Sequence, residues 1–136
     1  MMSGENVEIV RRFNDAVTRG DREAVATLIH PEVEWRTMAG PLLGVDAVRG
    51  RDELLSFIFD VIPEGVEDFG ATTERFTELA DDQLLVCGHY TGRGTTSGAE
   101  IEVASAALYR FEEGMIVSFR DFPSEALALE AATLAE

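Results

Sequence analysis

The segment Met115-Ile-Val-Ser-Phe-Arg-Asp-Phe122 decides how the rest of the chain is read. It follows a tight turn at Glu113-Gly114 and stops at Pro123, so it reads as a strand closing a hairpin. Successive side chains of a strand point to opposite faces. Ile116, Ser118, Arg120 and Phe122 therefore share one face, and Met115, Val117, Phe119 and Asp121 the other. The second row is apolar except for the carboxylate at its end. An acid on an apolar row is costly to bury unless it is paired or used. Asp121 is either a solvated strand-end acid, a partner for a neighbouring arginine, or a working group.

Working outward, Glu100–Glu112 reads as a long strand with Ile101, Val103, Ser105, Ala107, Tyr109 and Phe111 in one row. Gln83–Gly92 is another, with Leu85, Cys87, His89 and Thr91 on one face and Leu84, Val86, Gly88 and Tyr90 on the other. Asp81-Asp82 is a turn, Glu67–Leu79 an extended Thr- and Phe-rich segment, and residues 93–99 a hairpin loop. The first half is helical. Val7, Val10, Phe13 and Val17 keep helical spacing over residues 5–19, with Ser3 or Asn6 as the expected cap. Gly20 ends that helix and Asp21 starts a second over 22–29, which His30-Pro31 is expected to break. His30 is placed at this helix end. Val33–Thr37 is a short strand, and residues 38–48 form a loop. A third helix over 52–62 carries Leu54, Leu55, Phe57 and Ile58, with Pro63 as its stop. The tail is helical, with Leu127, Leu129 and Leu134 as expected contacts.

Three helices, a run of antiparallel strands and a short C-terminal helix make an α+β protein, with helices on one face of a curved sheet. At 136 residues one domain over 1–136 is expected. The net charge of −15 repels phosphate backbones and anionic lipid, so neither nucleic acid nor membrane is an expected partner. Cys87 is the only cysteine, which excludes an internal disulfide and a cysteine-based zinc site. His30 and His89 are far apart in the chain, so no metal is expected. The first residues lack a basic region followed by an apolar run, and a cytoplasmic location is expected. Gly92-Arg93-Gly94 lacks the lysine of a phosphate loop, and no cofactor is implied.

Several scattered signatures carry a resemblance. They are the Gly20-Asp21 junction, His30-Pro31-Glu32-Val33-Glu34-Trp35, Arg49-Gly50-Arg51-Asp52-Glu53-Leu54, Gly92-Arg93-Gly94 with Ser97-Gly98, and Ala128-Leu129-Glu130-Ala131-Ala132. In this order they resemble the SnoaL-like branch of the nuclear transport factor 2-like superfamily. The resemblance implies a cone: a strongly curved sheet around three helices, with a deep apolar cavity and commonly a homodimer through the outer sheet face. Ketosteroid isomerases of this fold use a Tyr and two Asp whose positions here hold Phe13, Trp35 and Ala107, so that mechanism is not expected. Limonene epoxide hydrolases end in a similar strand, and their water-activating aspartate falls on Asp121. Their Arg, second Asp, Tyr and Asn fall on His89, Thr91, Trp35 and Thr37. Polyketide cyclases of the SnoaL type also use an aspartate, without metal or cofactor.

The resemblance and strand alternation together place Asp121 and His89 as the expected catalytic pair. Trp35, Thr37, Leu85, Val103, Ser105 and Phe119 are the expected walls around a compact apolar molecule. A desolvated aspartate beside an imidazole could abstract a proton next to a carbonyl or activate water. The other reading is a binding or dimerising module that kept the cavity and lost the chemistry.

Overall fold

The computed structural model describes residues 3–37 and 47–134. Helix α1 (Ser3–Arg19) leads through Gly20 and a left-handed turn to α2 (Arg22–Leu28). Asp21 caps α2 by accepting from the Ala24 N–H at 3.1 Å, and that bond is the main reason its carboxyl lies below its ordinary range. The first strand, β1 (Ile29–Arg36), follows at once and contains His30 and Pro31. The expected break is therefore a helix-to-strand switch, and His30 is a strand residue. Strand β2 (Val48–Arg49) pairs with β1. Helix α3 (Arg51–Ser56) runs into a π-helical stretch (Phe57–Val61) and a last turn (Ile62–Gly65). Pro63 does not stop the helix. It sits in the first turn of the last segment, directly after the π-helical stretch, and the helix runs on to Gly65.

Four long strands come next: β3 (Val66–Ala80), β4 (Gln83–Gly94), β5 (Glu100–Glu112) and β6 (Met115–Phe122). Helix α4 (Glu125–Leu134) closes the described chain. The sheet order is β2-β1-β6-β5-β4-β3, antiparallel except for the β1–β6 pair. The α+β expectation holds. The β5–β6 turn places Glu113 and Gly114 both at positive φ (56° and 76°), the backbone of a two-residue turn matched to strand twist.

The helices α1 to α3 cover one face. Val10, Phe13, Val25, Leu54, Phe57 and Ile58 pack there on Trp35, Leu84, Val86, Tyr109 and Phe119. Asn6 is not the α1 cap. It is buried in the first turn, and its Nδ2 donates to the Asp81 carbonyl at 2.9 Å, tying α1 to the β3–β4 turn. A second apolar cluster lies on the opposite face, where Leu85, Ala106 and Phe122 meet Ala128 of α4. The contacts of α4 are thus alanines, while Leu127 and Leu129 are exposed; Leu134 and most of the 38–48 loop lie outside the described side chains. Small side chains let the helix lie close on the sheet.

One row of β6 differs from simple alternation. Arg110 pairs with Ser118, but Phe111 pairs with Ile116, so Val117 is an extra residue in β6. A bulge of this kind reverses which face the following residues present. Ile116, fully buried, joins Phe119 and Asp121 on the helix-covered face in place of Val117 and Met115. Among the described residues, no helix is long and apolar enough to cross a membrane.

Candidate functional site

Asp121 lies on the helix-covered face and is 4% exposed. Strand register puts it there. The register Ala107↔Asp121 and Tyr109↔Phe119 sets the parity of β6 against β5, and Trp35↔Phe119 sets that of β1. The bulge at Val117 then turns Ile116 inward below them. Asp121 Oδ2 accepts from Trp35 Nε1 at 3.0 Å, and Oδ1 accepts from the Tyr90 hydroxyl at 2.7 Å. Each carboxylate oxygen thus receives a donor from a different strand. That is how an acceptor-only carboxylate is satisfied in an interior.

The donors are themselves held by rings. Trp35 stacks on Phe119 at 5.2 Å and meets Phe57 edge-on at 5.4 Å. Phe119 stacks in turn on Tyr109 at 5.0 Å, and Phe69 on Tyr90 at 5.7 Å. Offset stacks and edge contacts of this kind add to the burial of the rings and fix their planes. Burial pushes the Tyr90 phenol well up, and the charge of Asp121 pushes it further; the Ser105 hydroxyl on its oxygen acts the other way. Burial, then Asp121, also raise Tyr109 far above its usual range. Both phenols are therefore neutral at any physiological pH.

The rings leave little room. Two adjoining cavities of about 20 Å³ each lie beside this network, and both touch Asn14, Ala71, Tyr90 and Tyr109. Each has the size of about one water.

The expected site residues separate into two groups. Trp35, Phe119 and Asp121 come together, and Ser105 joins them through Tyr90. Val103 pairs with Tyr90 across β4–β5 but is 44% exposed. Thr37 is part-buried just past the end of β1. Leu85 and His89 do not reach Asp121. Tyr90 faces inward, so His89, the next residue on the strand, turns outward, as does Leu85. His89 borders one of the small cavities, but its Nδ1 faces Glu74 Oε2 at 3.2 Å. The expected Asp121–His89 pair is replaced by Asp121–Tyr90. The sequence carries a signal for Tyr90: it alternates with Gly88 and Gly92 on one row. A Cβ at Gly88 would sit 1.9 Å from the Thr72 carbonyl oxygen, so these glycines let β3 approach closely around the tyrosine.

One cluster has metal-ligating residue types: His30, Glu112 and Glu113. The His30 Nδ1 accepts from the Glu32 N–H at 3.0 Å, which leaves the ring proton on Nε2. Nε2 faces Glu113 at 3.3 Å as a donor and has no lone pair to offer a metal. This is a surface hydrogen bond that ties β1 to the β5–β6 turn.

The SnoaL-like domain model matches residues 10–119. The chain belongs to the SnoaL-like family. No curated protein matches it. Among solved structures it is similar to a nuclear transport factor 2-like protein of unknown function from Burkholderia pseudomallei, with 23% identity and a TM-score of 0.76 over 93% of this chain and 95% of that one. A putative SnoaL-like polyketide cyclase from Jannaschia sp. CCS1 gives 23% identity and 0.74, covering 96% and 92%. A Mycobacterium tuberculosis protein in complex with estradiol-17β-hemisuccinate gives 16% and 0.75, covering 90% and 95%. At these identities the likeness is one of fold.

Proposed function

We propose that this SnoaL-like protein binds a compact apolar molecule in its helix-covered interior and acts on it by cofactor-free acid/base chemistry, of isomerase, cyclase or hydrolase type, with Asp121 as the proton-accepting group. The observation that carries this is the interior carboxylate of Asp121, bound through both oxygens to Trp35 and Tyr90. A structural acid at a strand end would be solvated; this one is enclosed by rings and aimed from an apolar row. Tyr90 orients the carboxylate and is placed to return a proton, because its own high pKa keeps it protonated. Ligands held by proteins of the same fold, such as estradiol-17β-hemisuccinate, support an apolar, ring-bearing molecule. Entry requires the Trp35–Phe119–Tyr109 stack to open, since the cavities beside it hold about one water each.

The same narrow interior favours a second reading, a binding or dimerising module without chemistry. Trp35 is the only tryptophan, so its fluorescence reports on the site alone. Steroids, epoxides, enolisable ketones and polyketide-like aromatics are to be titrated against wild type and Asp121→Asn while product is followed. Conversion by wild type and loss in Asp121→Asn supports the enzyme. Quenching without conversion supports the module. Conversion that survives in Asp121→Asn overturns the assignment of Asp121.

A further inference from the structure

We infer that the polar cavity between α1, β3, β4 and β5 is a proton path to Asp121, running from solvent through a held water to Ser105, then Tyr90, then the carboxylate. The inference rests on Asp121 as the proton-accepting group and adds how that group trades its proton with solvent.

The two cavities beside the network differ in chemistry. One is walled mainly by rings, Phe13, Trp35, Phe69 and Phe119 among them, and suits the apolar part of a ligand. The other carries polar groups on its wall: Asn14, Thr72, Thr73, Ser105 and Tyr90. At about 20 Å³ it has room for about one water, and that wall offers the several polar partners a held water needs. Strand register builds it. Thr73, Gly88 and Ser105 are successive cross-strand neighbours on β3, β4 and β5. Gly88 has no side chain, so β3 closes in, and Thr73 reaches the same cavity as Ser105. The Asn14 amide of α1 donates to the Thr73 hydroxyl at 3.2 Å and fixes that wall. The cavity also borders the exposed Thr72 and the half-buried His89, which gives its water a way to exchange with solvent.

Hydrogen bonds already run along the protein part of the path in one direction. The Tyr90 hydroxyl donates to Asp121 Oδ1 at 2.7 Å. The Ser105 hydroxyl meets the Tyr90 oxygen as a donor and so works against the rise of the phenol's pKa. Ser105 Oγ keeps lone pairs that can accept a proton from the water. In one pass the water gives a proton to Ser105, Ser105 gives its own to Tyr90, and Tyr90 gives its own to Asp121. Each hydroxyl oxygen breaks one O–H bond and forms one, and a proton from solvent restores the water. The reverse pass carries out to solvent a proton that Asp121 has taken from a substrate. Burial holds the Tyr90 phenol well above its usual range, so a free phenolate is costly and the protons move together.

The test needs no substrate. The Tyr90 hydroxyl proton is followed by NMR in the whole protein and told from that of Tyr109 by its loss in Tyr90→Phe. Its exchange with water is measured by saturation transfer. Ser105→Ala is expected to slow that exchange about tenfold or more, and Ser105→Thr to restore it. A merely structural loss at Ser105 would loosen the site and speed exchange instead. Asn14→Leu fills the cavity from α1 and is expected to slow exchange too, which keeps the test sound if Ser105→Ala misfolds. Where the wild-type proton exchanges too fast to be seen, its appearance in Ser105→Ala is the expected result. Equal exchange in wild type, Ser105→Ala and Asn14→Leu overturns the inference, as does a resonance absent from all three. So does exchange that Ser105→Thr leaves slow. Conversion lost in Asp121→Asn beside unchanged exchange in Ser105→Ala would sink the path alone. Conversion that survives in Asp121→Asn beside slowed exchange would sink the Asp121 reading alone.

Discussion

The indole of Trp35 donates to Asp121 across the parallel β1–β6 pair at 3.0 Å, while Tyr90 donates to the same carboxylate from β4, two strands away. Three strands are thus joined through one side chain. Removing any member leaves a buried polar atom short of a partner.

Tyr90→Phe keeps the ring on Phe69 and deletes only the hydroxyl. A hydrogen bond to a charged group is worth about 1.5–3 kcal/mol, and a loss of that order is expected in urea unfolding. Trp35→Phe removes the other donor together with some packing and is expected to cost at least as much. A loss below about 0.5 kcal/mol in Tyr90→Phe would mean that the 2.7 Å bond does not form in solution.

The chain has two tyrosines, Tyr90 and Tyr109, and both phenols are raised in the folded state. Their stabilising contribution is fully present below the unfolded value near 10. Above it the unfolded chain releases protons that the native one keeps. Stability then falls by about 1.4 kcal/mol per pH unit for each tyrosine until the folded value is reached. Absorbance at alkaline pH is expected to show no tyrosinate until unfolding, and then both groups together. A tyrosine that titrates near 10 in the folded protein would contradict the buried network.

His89→Gln is expected to be nearly silent. Its contact with Glu74 lies on the outer surface, where even a charged pair contributes about 1 kcal/mol or less. Trp35 fluorescence and unfolding midpoint should both match wild type. A changed Trp35 signal would place the imidazole near Asp121 after all.

Gly88→Ala tests the close approach of β3 to β4. The added methyl would lie 1.9 Å from the Thr72 carbonyl, so the strands must separate, at a cost of about 1–3 kcal/mol or more. At Gly98, in the β4–β5 loop, a Cβ meets nothing, and only its positive φ opposes alanine. Gly88→Ala is therefore expected to lose clearly more stability than Gly98→Ala in parallel thermal melts.

The sequence by itself determined the order of the helices and long strands, the β5 and β6 boundaries, the Glu113-Gly114 turn and Asp121 as the acid of interest, but not the short strand Val48–Arg49. Each is local: turn residues, alternation and helical spacing act over a few positions. What surrounds Asp121 was decided only by the tertiary structure. On β4 the sequence offers two rows, Leu85 with His89 and Leu84 with Tyr90, both able to face an apolar layer. Alternation separates the rows but does not say which faces the helices. Here both sheet faces are covered in part, one by α1 to α3 and the other by α4, so Leu85 is fully buried without being in the site. The bulge at Val117 acts in the same way on β6, because it arises from pairing with β5 and not from any residue of its own. The partner of Asp121 is therefore Tyr90, and the reason lies in long-range register.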